Sequence, residues 1–474
     1  MKDFKNFFVY TMMTVLQKSI SFLFVPFVTT FLTPKEFGFV NHLTAISSAF
    51  VLFLLFALDE ATSRLYFENR ANKKELSQVI STNVCISAAI SIVFILLVFL
   101  YVFFARPDTL LGFELKYFGI IFCISLSTPI YYIQLKVFRI KSQAFLFSLF
   151  SVLNILIQIG CFLVFVVWFK YGALGYLYSI TIATITVSIL SVISLFYGLS
   201  FSPSIVMAKK SISFCLKVFP HTVSSWGLYS LTIIVIGNFL NDASVGLFSV
   251  INYLSIVMAV ITNAVLYSFQ PWLYSKLESE EKDIALSVIS FLSYFFAVVS
   301  SVVSCFSDYF IEFVFSSQYH ESLYIAPVVV ITNVVLFLGS LHTYILYYSK
   351  VCTSKVAYAT IIGTLVNALL VFTLIKPFGL LGAAFSLLIA HLCISLIKQY
   401  YSLKYLKVKM TFDFKVYLLC IFNAFVVSGF VYYESPLILR IVFAFCEVFL
   451  FVIFFRVPIA LFLDRFHLKS FLKC

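Results

Sequence analysis

The stretch Phe31-Leu32-Thr33-Pro34-Lys35-Glu36-Phe37-Gly38-Phe39 has a counterpart in Phe239-Leu240-Asn241-Asp242-Ala243-Ser244-Val245-Gly246-Leu247, 208 positions later. Each runs from an apolar approach through a polar turn to a glycine and an apolar restart. A second pair, Gly172-Ala173-Leu174-Gly175 and Gly379-Leu380-Leu381-Gly382, stands 207 positions apart. One glycine turn is common, but two matches at nearly one offset point to a duplicated unit. Around these turns lie apolar blocks of about twenty residues or more, long enough to cross a hydrocarbon slab roughly 30 Å thick.

Composition agrees. The 474 residues are 62% hydrophobic and 11% charged, with a mean hydropathy of +1.07. Soluble domains run about 45–50% apolar and about 25% charged. Disordered chains and disulfide scaffolds lack such apolar bulk. The chain is expected to be an all-α polytopic membrane protein.

Hydropathy places candidate spans at 7–31, 39–58, 76–104, 118–137, 145–169 and 174–197 in the first copy. The second copy has 214–240, 245–269, 284–315, 325–348, 356–375 and 380–397, and 416–433 and 437–455 follow. About fourteen helices are expected: a lobe at 1–205 (helices 1–6), a lobe at 206–410 (helices 7–12), and helices 13–14 at 411–474. An even number of spans per copy orients both copies alike, as in transporters built from parallel repeats. The first span is too long for a cleavable signal peptide and is read as helix one.

The net charge of +12 follows the same alternation. Of 32 basic residues, 25 fall on the side of the N-terminus and six on the other, with Lys18 left inside a span. Cytoplasmic loops collect Lys and Arg, so both termini are expected in the cytoplasm. The ten cysteines form no C-x-x-C and are expected to be reduced and buried, without a metal. No Asp-x-Asp, P-loop or soluble nucleotide domain is present, which argues against an ATP-driven pump, and no cofactor is expected.

Several motifs resemble the O-antigen and polysaccharide flippases (Wzx-like) of the MOP superfamily, relatives of MurJ and the MATE transporters. Pro26-Phe27 through Leu32-Thr33-Pro34-Lys35-Glu36-Phe37-Gly38 is similar to the family's end of helix one. Leu58-Asp59-x-Ala61-x-x-Arg64-x-Tyr66 resembles the acidic-to-arginine signature closing helix two. Phe219-Pro220 and Gln270-Pro271-Trp272 sit where the family has comparable prolines. The resemblance implies movement of undecaprenyl-diphosphate-linked glycan between leaflets of a bacterial inner membrane, with H+ or Na+ as coupling ion. Its implied partners are membrane lipids, a polysaccharide polymerase and a chain-length regulator, and no nucleic acid. One departure is the scarcity of charges within the spans, where many relatives carry several arginines.

Depth selects the candidate residues. Lys18 lies roughly 16 Å into the slab, counting ~1.5 Å per residue. It reads as a cation meeting a diphosphate, or as a buried lysine satisfied by Gln17 and neighbouring hydroxyls. Asp59, Glu60 and Arg64 fall near the cytoplasmic face. There Glu60 and Arg64 can pair one turn apart, as a structural ion pair or as a gate that admits the diphosphate. Lys217 is a third cation beside Pro220, a candidate hinge, and His221, a candidate proton carrier. Asn423 and Glu447 share a depth and are expected to join helices 13 and 14. Tyr66, Tyr131 and Tyr132 are candidates for a sugar path.

Two alternatives stay open: a MATE-like cation-coupled exporter of small molecules, and a membrane O-antigen polymerase. The second is disfavoured because the longest outer loop, near 105–117, offers only Arg106, Asp108, Glu114 and Lys116.

Overall fold

A computed structural model describes residues 17, 19–68, 73–105, 107, 109–110, 112–141, 143–197, 200–349, 352–407 and 414–454. Among them, everything regular is helical except a two-residue hairpin pairing Thr109–Leu110 with Phe113–Glu114. The chain forms two compact units, Met1–Gly246 and Leu247–Cys474.

The first unit holds α1 (Ser19–Phe31), α2 (Pro34–Leu55), α3 (Leu58–Glu68), α4 (Lys73–Ala105) and α5 (Leu115–Ile140). It continues with α6 (Ala144–Phe162), which runs into a π-helical turn at Leu163–Trp168, then α7 (Gly172–Phe196) and α8 (Ile205–Phe239). The next helix, α9 (Asp242–Glu278), starts at the end of this unit. The unit extends past the expected lobe boundary at 205 because α8 packs against α2, α3 and α4.

The second unit holds α10 (Lys282–Cys305), α11 (Ser307–Val314), a 3-10 segment (Ser317–Ile325) and α12 (Ala326–Tyr348). Then come α13 (Thr353–Leu406), α14 (Phe414–Tyr432) and α15 (Leu437–Phe454).

The start of α2 shows why the turn at 31–39 matters. Thr33 and Glu36 form a capping box, the Thr33 N–H donating to Glu36 Oε2 at 3.0 Å and the Glu36 N–H to Thr33 Oγ1 at 3.3 Å. Pro34 occupies the first helical turn, where a missing N–H costs nothing.

Eleven helices among the described residues are long and apolar enough to cross a membrane, against fourteen expected. Three places account for the difference. Only Ser19–Phe31 of helix one is a described apolar segment. The long helix α13 is two expected spans joined across Gly379, whose φ of 56° breaks its path. And α15, eighteen residues long, is not among the eleven. The span expected at 284–315 is also divided, because the backbone turns at Phe306 between α10 and α11.

The duplication is visible in matching details inside each unit. Gly172 and Gly379 both adopt a left-handed backbone, at φ 55° and 56°, a conformation glycine adopts without steric cost. Ser47 and Ser125 share a hydrogen bond at 2.8 Å; 208 positions on, Asn333 donates to Ser255 at 2.7 Å. Gln134 donates to Ser194 at 2.8 Å, and His342 Nδ1 lies 2.8 Å from Ser402 Oγ at the same offset.

The described cysteines are all free, but only Cys215, Cys305 and Cys420 are buried; Cys85, Cys161, Cys352 and Cys393 are partly buried, and Cys123 and Cys446 are exposed.

Candidate functional site

Helix two does not run through to Leu58 as expected. It stops at Leu55, and Phe56 and Ala57 take positive φ values of 47° and 57°. Left-handed residues other than glycine cost roughly 1–2 kcal/mol each. Neither Gly nor Pro marks this break; packing holds it. Ala57, Leu58 and Ala61 are buried, and α3 is clamped against α5 and α8. The restart puts Asp59 and Glu60 in the first turn of α3, where the helix dipole favours negative charge.

Lys136, from α5, answers them. Its Nζ lies 2.6 Å from Glu60 Oε1 and 3.7 Å from Asp59 Oδ2. Burial pushes the Asp59 carboxyl above its usual range; Lys136 opposes the shift and Glu60 adds to it. Tyr132 and Cys215 stand within electrostatic reach of Asp59. The cluster is thus a half-buried acid beside an exposed one, sharing a single lysine.

The expected Glu60–Arg64 pair does not form. Lys136 takes Glu60, and Arg64 turns to Glu68 at 2.8 Å on an exposed face. No ion pair links Arg64 or Lys217 to Asp59 or Glu60 among the described residues. Lys217 is exposed on α8 and His221 is partly buried one turn on. Pro220 lies between them in an unbroken helix, its carbonyl accepting from Ser224 Oγ at 2.8 Å. Lys18 lies outside the described residues. Asn423 Nδ2 donates to Glu447 Oε2 at 3.3 Å, joining α14 to α15. Tyr66 and Tyr131 are buried in protein, whereas Tyr132 is exposed.

Polar contacts continue along α2 and α8 away from this cluster. Trp226 Nε1 donates to Ser48 Oγ at 2.8 Å, and Ser48 in turn reaches Ser230. At the far end His42, 2% exposed, lies 3.0 Å from Asp242 Oδ1. Its ring is seated against Gly237, where a Cβ would overlap the imidazole. Gly38 and Gly246 meet beside it: a Cβ on Gly38 would strike the Asp242 carbonyl, and one on Gly246 the Pro34 carbonyl. The two matched turns of the sequence therefore touch.

Sequence reasoning passed over His42, Asp242 and Lys136. In the sequence Lys136 is one of the 25 basic residues on the side of the N-terminus, and Asp242 is one residue of the turn at 239–247. A histidine three residues beyond the start of the apolar span at 39–58 is the available signal for His42. Among the described residues no three His, Cys, Asp or Glu side chains gather as a metal site.

The fold is similar to those of several solved transporters. It matches the lipid II flippase MurJ in an inward closed conformation with a TM-score of 0.68 at 18% identity, over 95% of this chain and 100% of that one. It matches an inward-facing multidrug resistance MATE transporter of the MOP superfamily at 0.65 and 13% identity, over 84% and 94%. A MOP superfamily transporter from Pyrococcus furiosus, described as having a binding pocket of reverse polarity, matches at 0.50 and 12% identity, over 86% and 92%. No curated protein matches the sequence. Residues 27–324 match the family described as polysaccharide biosynthesis protein, and the chain belongs to that family.

Proposed function

We propose that the chain is a flippase for polyprenyl-diphosphate-linked oligosaccharides. It would carry O-antigen or related surface-polysaccharide repeat units from the cytoplasmic to the periplasmic leaflet of a bacterial inner membrane, with both termini in the cytoplasm. The observation that carries this reading is family membership in polysaccharide biosynthesis, in a chain whose fold matches both a lipid flippase and small-molecule exporters.

The mechanism follows from the repeat. The copies at 1–205 and 206–410 alternate in exposing a path for the diphospho-sugar head, while the polyprenyl tail stays in lipid along helices 13–14. Lys18 and Arg64 offer positive charge to the diphosphate, with Lys217 as a third cation, and Pro220 lets α8 flex. The polar contacts that join the two copies are those of Ser48 with Trp226 and Ser230, between α2 and α8, and of His42 with Asp242 at the start of α9. Breaking and remaking them gives alternating access, while Asp59, Glu60 and Lys136 form a charged cluster within the first copy. An ion gradient supplies the energy, with the half-buried Asp59 or His221 taking up H+, or a carboxylate taking Na+.

The test is reconstitution. The purified chain in proteoliposomes should expose a fluorescent polyprenyl-diphosphate oligosaccharide to a membrane-impermeant quencher, and Lys136→Ala should slow the exposure. A chain that leaves that lipid unmoved but exchanges a small organic cation for H+ or Na+ is instead the exporter that the MATE-like fold supports.

A further inference from the structure

Within the second unit a cleft of about 450 Å³ opens between α10, α12, α13 and α14, four helices long and apolar enough to cross a membrane. The mechanism above does not use it. Part of its lining is apolar, with Leu286, Leu338 and Leu403, and part is polar, with Ser293, His342 and Gln399. No lysine, arginine or carboxylate lines it.

Hydrogen bonds around the cleft decide what its polar groups have left to offer. Ser402 Oγ donates its one proton to the Gln399 carbonyl at 2.8 Å. In its 2.8 Å contact with His342 Nδ1 that hydroxyl can only accept, so Nδ1 carries the imidazole proton. With no carboxylate in the lining to balance a charge, the buried ring is neutral, and Nε2 holds a free lone pair. The Ser293 hydroxyl gives its proton to the Ile289 carbonyl at 2.7 Å and keeps its lone pairs. Gln399 is 4% exposed, and its buried Oε1 has no partner among the described residues. The terminal torsion of an amide is soft, so a small turn brings this oxygen to the cleft.

The first copy, 208 positions earlier, has the same frame. Gln134 stands for His342, and its Nε2 donates to Ser194, the counterpart of Ser402, at 2.8 Å. The donor therefore sits on the same side of the contact in both copies. The counterpart of Gln399 is Ser191, whose hydroxyl is satisfied by the Val187 carbonyl at 2.8 Å. The unbonded oxygen of Gln399 is thus not required by the shared frame.

Three acceptors without donors call for a donor from elsewhere, because a buried acceptor left unbonded is costly. An anion brings only more acceptors. An ammonium brings a charge that nothing in the lining balances. Water donates, but it leaves the leucines wet. A hydroxyl on an apolar body satisfies both parts of the lining. We propose that this cleft binds an uncharged amphiphilic alcohol, such as a glyceride. Its hydroxyl donates to Gln399 Oε1 or His342 Nε2, and its apolar body lies against Leu286, Leu338 and Leu403. Such a ligand carries neither diphosphate nor polyprenyl chain, so the site stands or falls apart from the flippase reading.

The full chain in phosphatidylcholine nanodiscs is titrated with dioctanoylglycerol, with its methyl ether, which cannot donate, and with glycerol, which lacks the apolar body. Binding is read as a saturable rise in the unfolding temperature. Dioctanoylglycerol should bind about tenfold or more tightly than the ether, the worth of one hydrogen bond to a buried acceptor, and glycerol should give no saturable rise. His342→Phe or Gln399→Leu should weaken the alcohol by a similar factor, whereas Ser287→Ala, on an exposed position of α10, should retain it. No binding of the alcohol, equal affinity for alcohol and ether, glycerol binding as tightly, or unchanged binding in both His342→Phe and Gln399→Leu overturns the site. Should both variants fail to fold, the alcohol and ether on the native chain decide.

Discussion

Replacing Arg440 with Met tests how the C-terminal helices are held. Arg440 enters α15 at its first turn and is 2% exposed. Its guanidinium reaches Asp308 on α11 and the carbonyls of Cys305, Phe430 and Ser435, the last three at 3.2–3.3 Å. Cys305 is the last residue of α10, and Phe430 lies in the last turn of α14. One side chain therefore caps two helix C-termini, where carbonyls lack partners and the dipole favours a cation. Among the described residues, truncation leaves Asp308 buried with neither oxygen bonded, since its Oδ1 already has no partner there. Breaking such a pair costs about 3–5 kcal/mol. Arg440→Lys should recover little, because an ammonium cannot span this set of acceptors. Arg440→Met with Asp308→Leu should regain much of the loss, the orphaned charge being gone. The assay is equilibrium unfolding in mixed micelles, followed by circular dichroism, as a double-mutant cycle. A cost below about 1 kcal/mol for Arg440→Met, or a double variant weaker than the single one, refutes the reasoning.

Other outcomes follow from the same geometry. Gly38→Ala places a methyl against the Asp242 carbonyl and should cost about 1–3 kcal/mol in the same unfolding assay, whereas Gly119→Ala, with open space around it, should not. Because burial raises the Asp59 carboxyl above its unfolded value, the folded state holds that proton more tightly. Stability should therefore rise as pH falls from neutral through the raised value, down to the ordinary carboxylate range. Asp59→Asn should flatten this dependence in unfolding measured across pH, and an unchanged profile would count against the burial argument. Lys18→Ala should lower surface glycan at unchanged protein level, measured by glycan staining beside an immunoblot; unaltered glycan removes Lys18 from the path.

The sequence carried the architecture further than the site. Apolar blocks and glycine turns are local signals, so the membrane class, the helical fold and the repeat could be read from 31–39 and 239–247. The break at Phe56–Ala57 could not, since nothing in Phe-Ala-Leu-Asp favours a left-handed turn and the cause is packing against α5 and α8. Nor could the partner of Glu60. Arg64 is one helical turn away, but Lys136 comes from a distant helix to the same spot. Charge counting hid as much as it revealed. Lys136 fits the bias of basic residues toward one side of the membrane, and its pairing with Glu60 is a tertiary contact that no charge count reveals.

The meeting of Gly38 with Gly246 has an evolutionary reading. Pro34 and Gly38 face Gly246 and Asp242, positions that correspond across the duplication, so the contact has the form of an isologous interface enclosed in one polypeptide. A single-copy ancestor carrying this turn would have had a surface complementary to itself. Fusion freed the two sides to differ. His42 now faces Asp242, while their counterparts are Val250 and Pro34, so a symmetric clasp acquired an ionisable group on one side only.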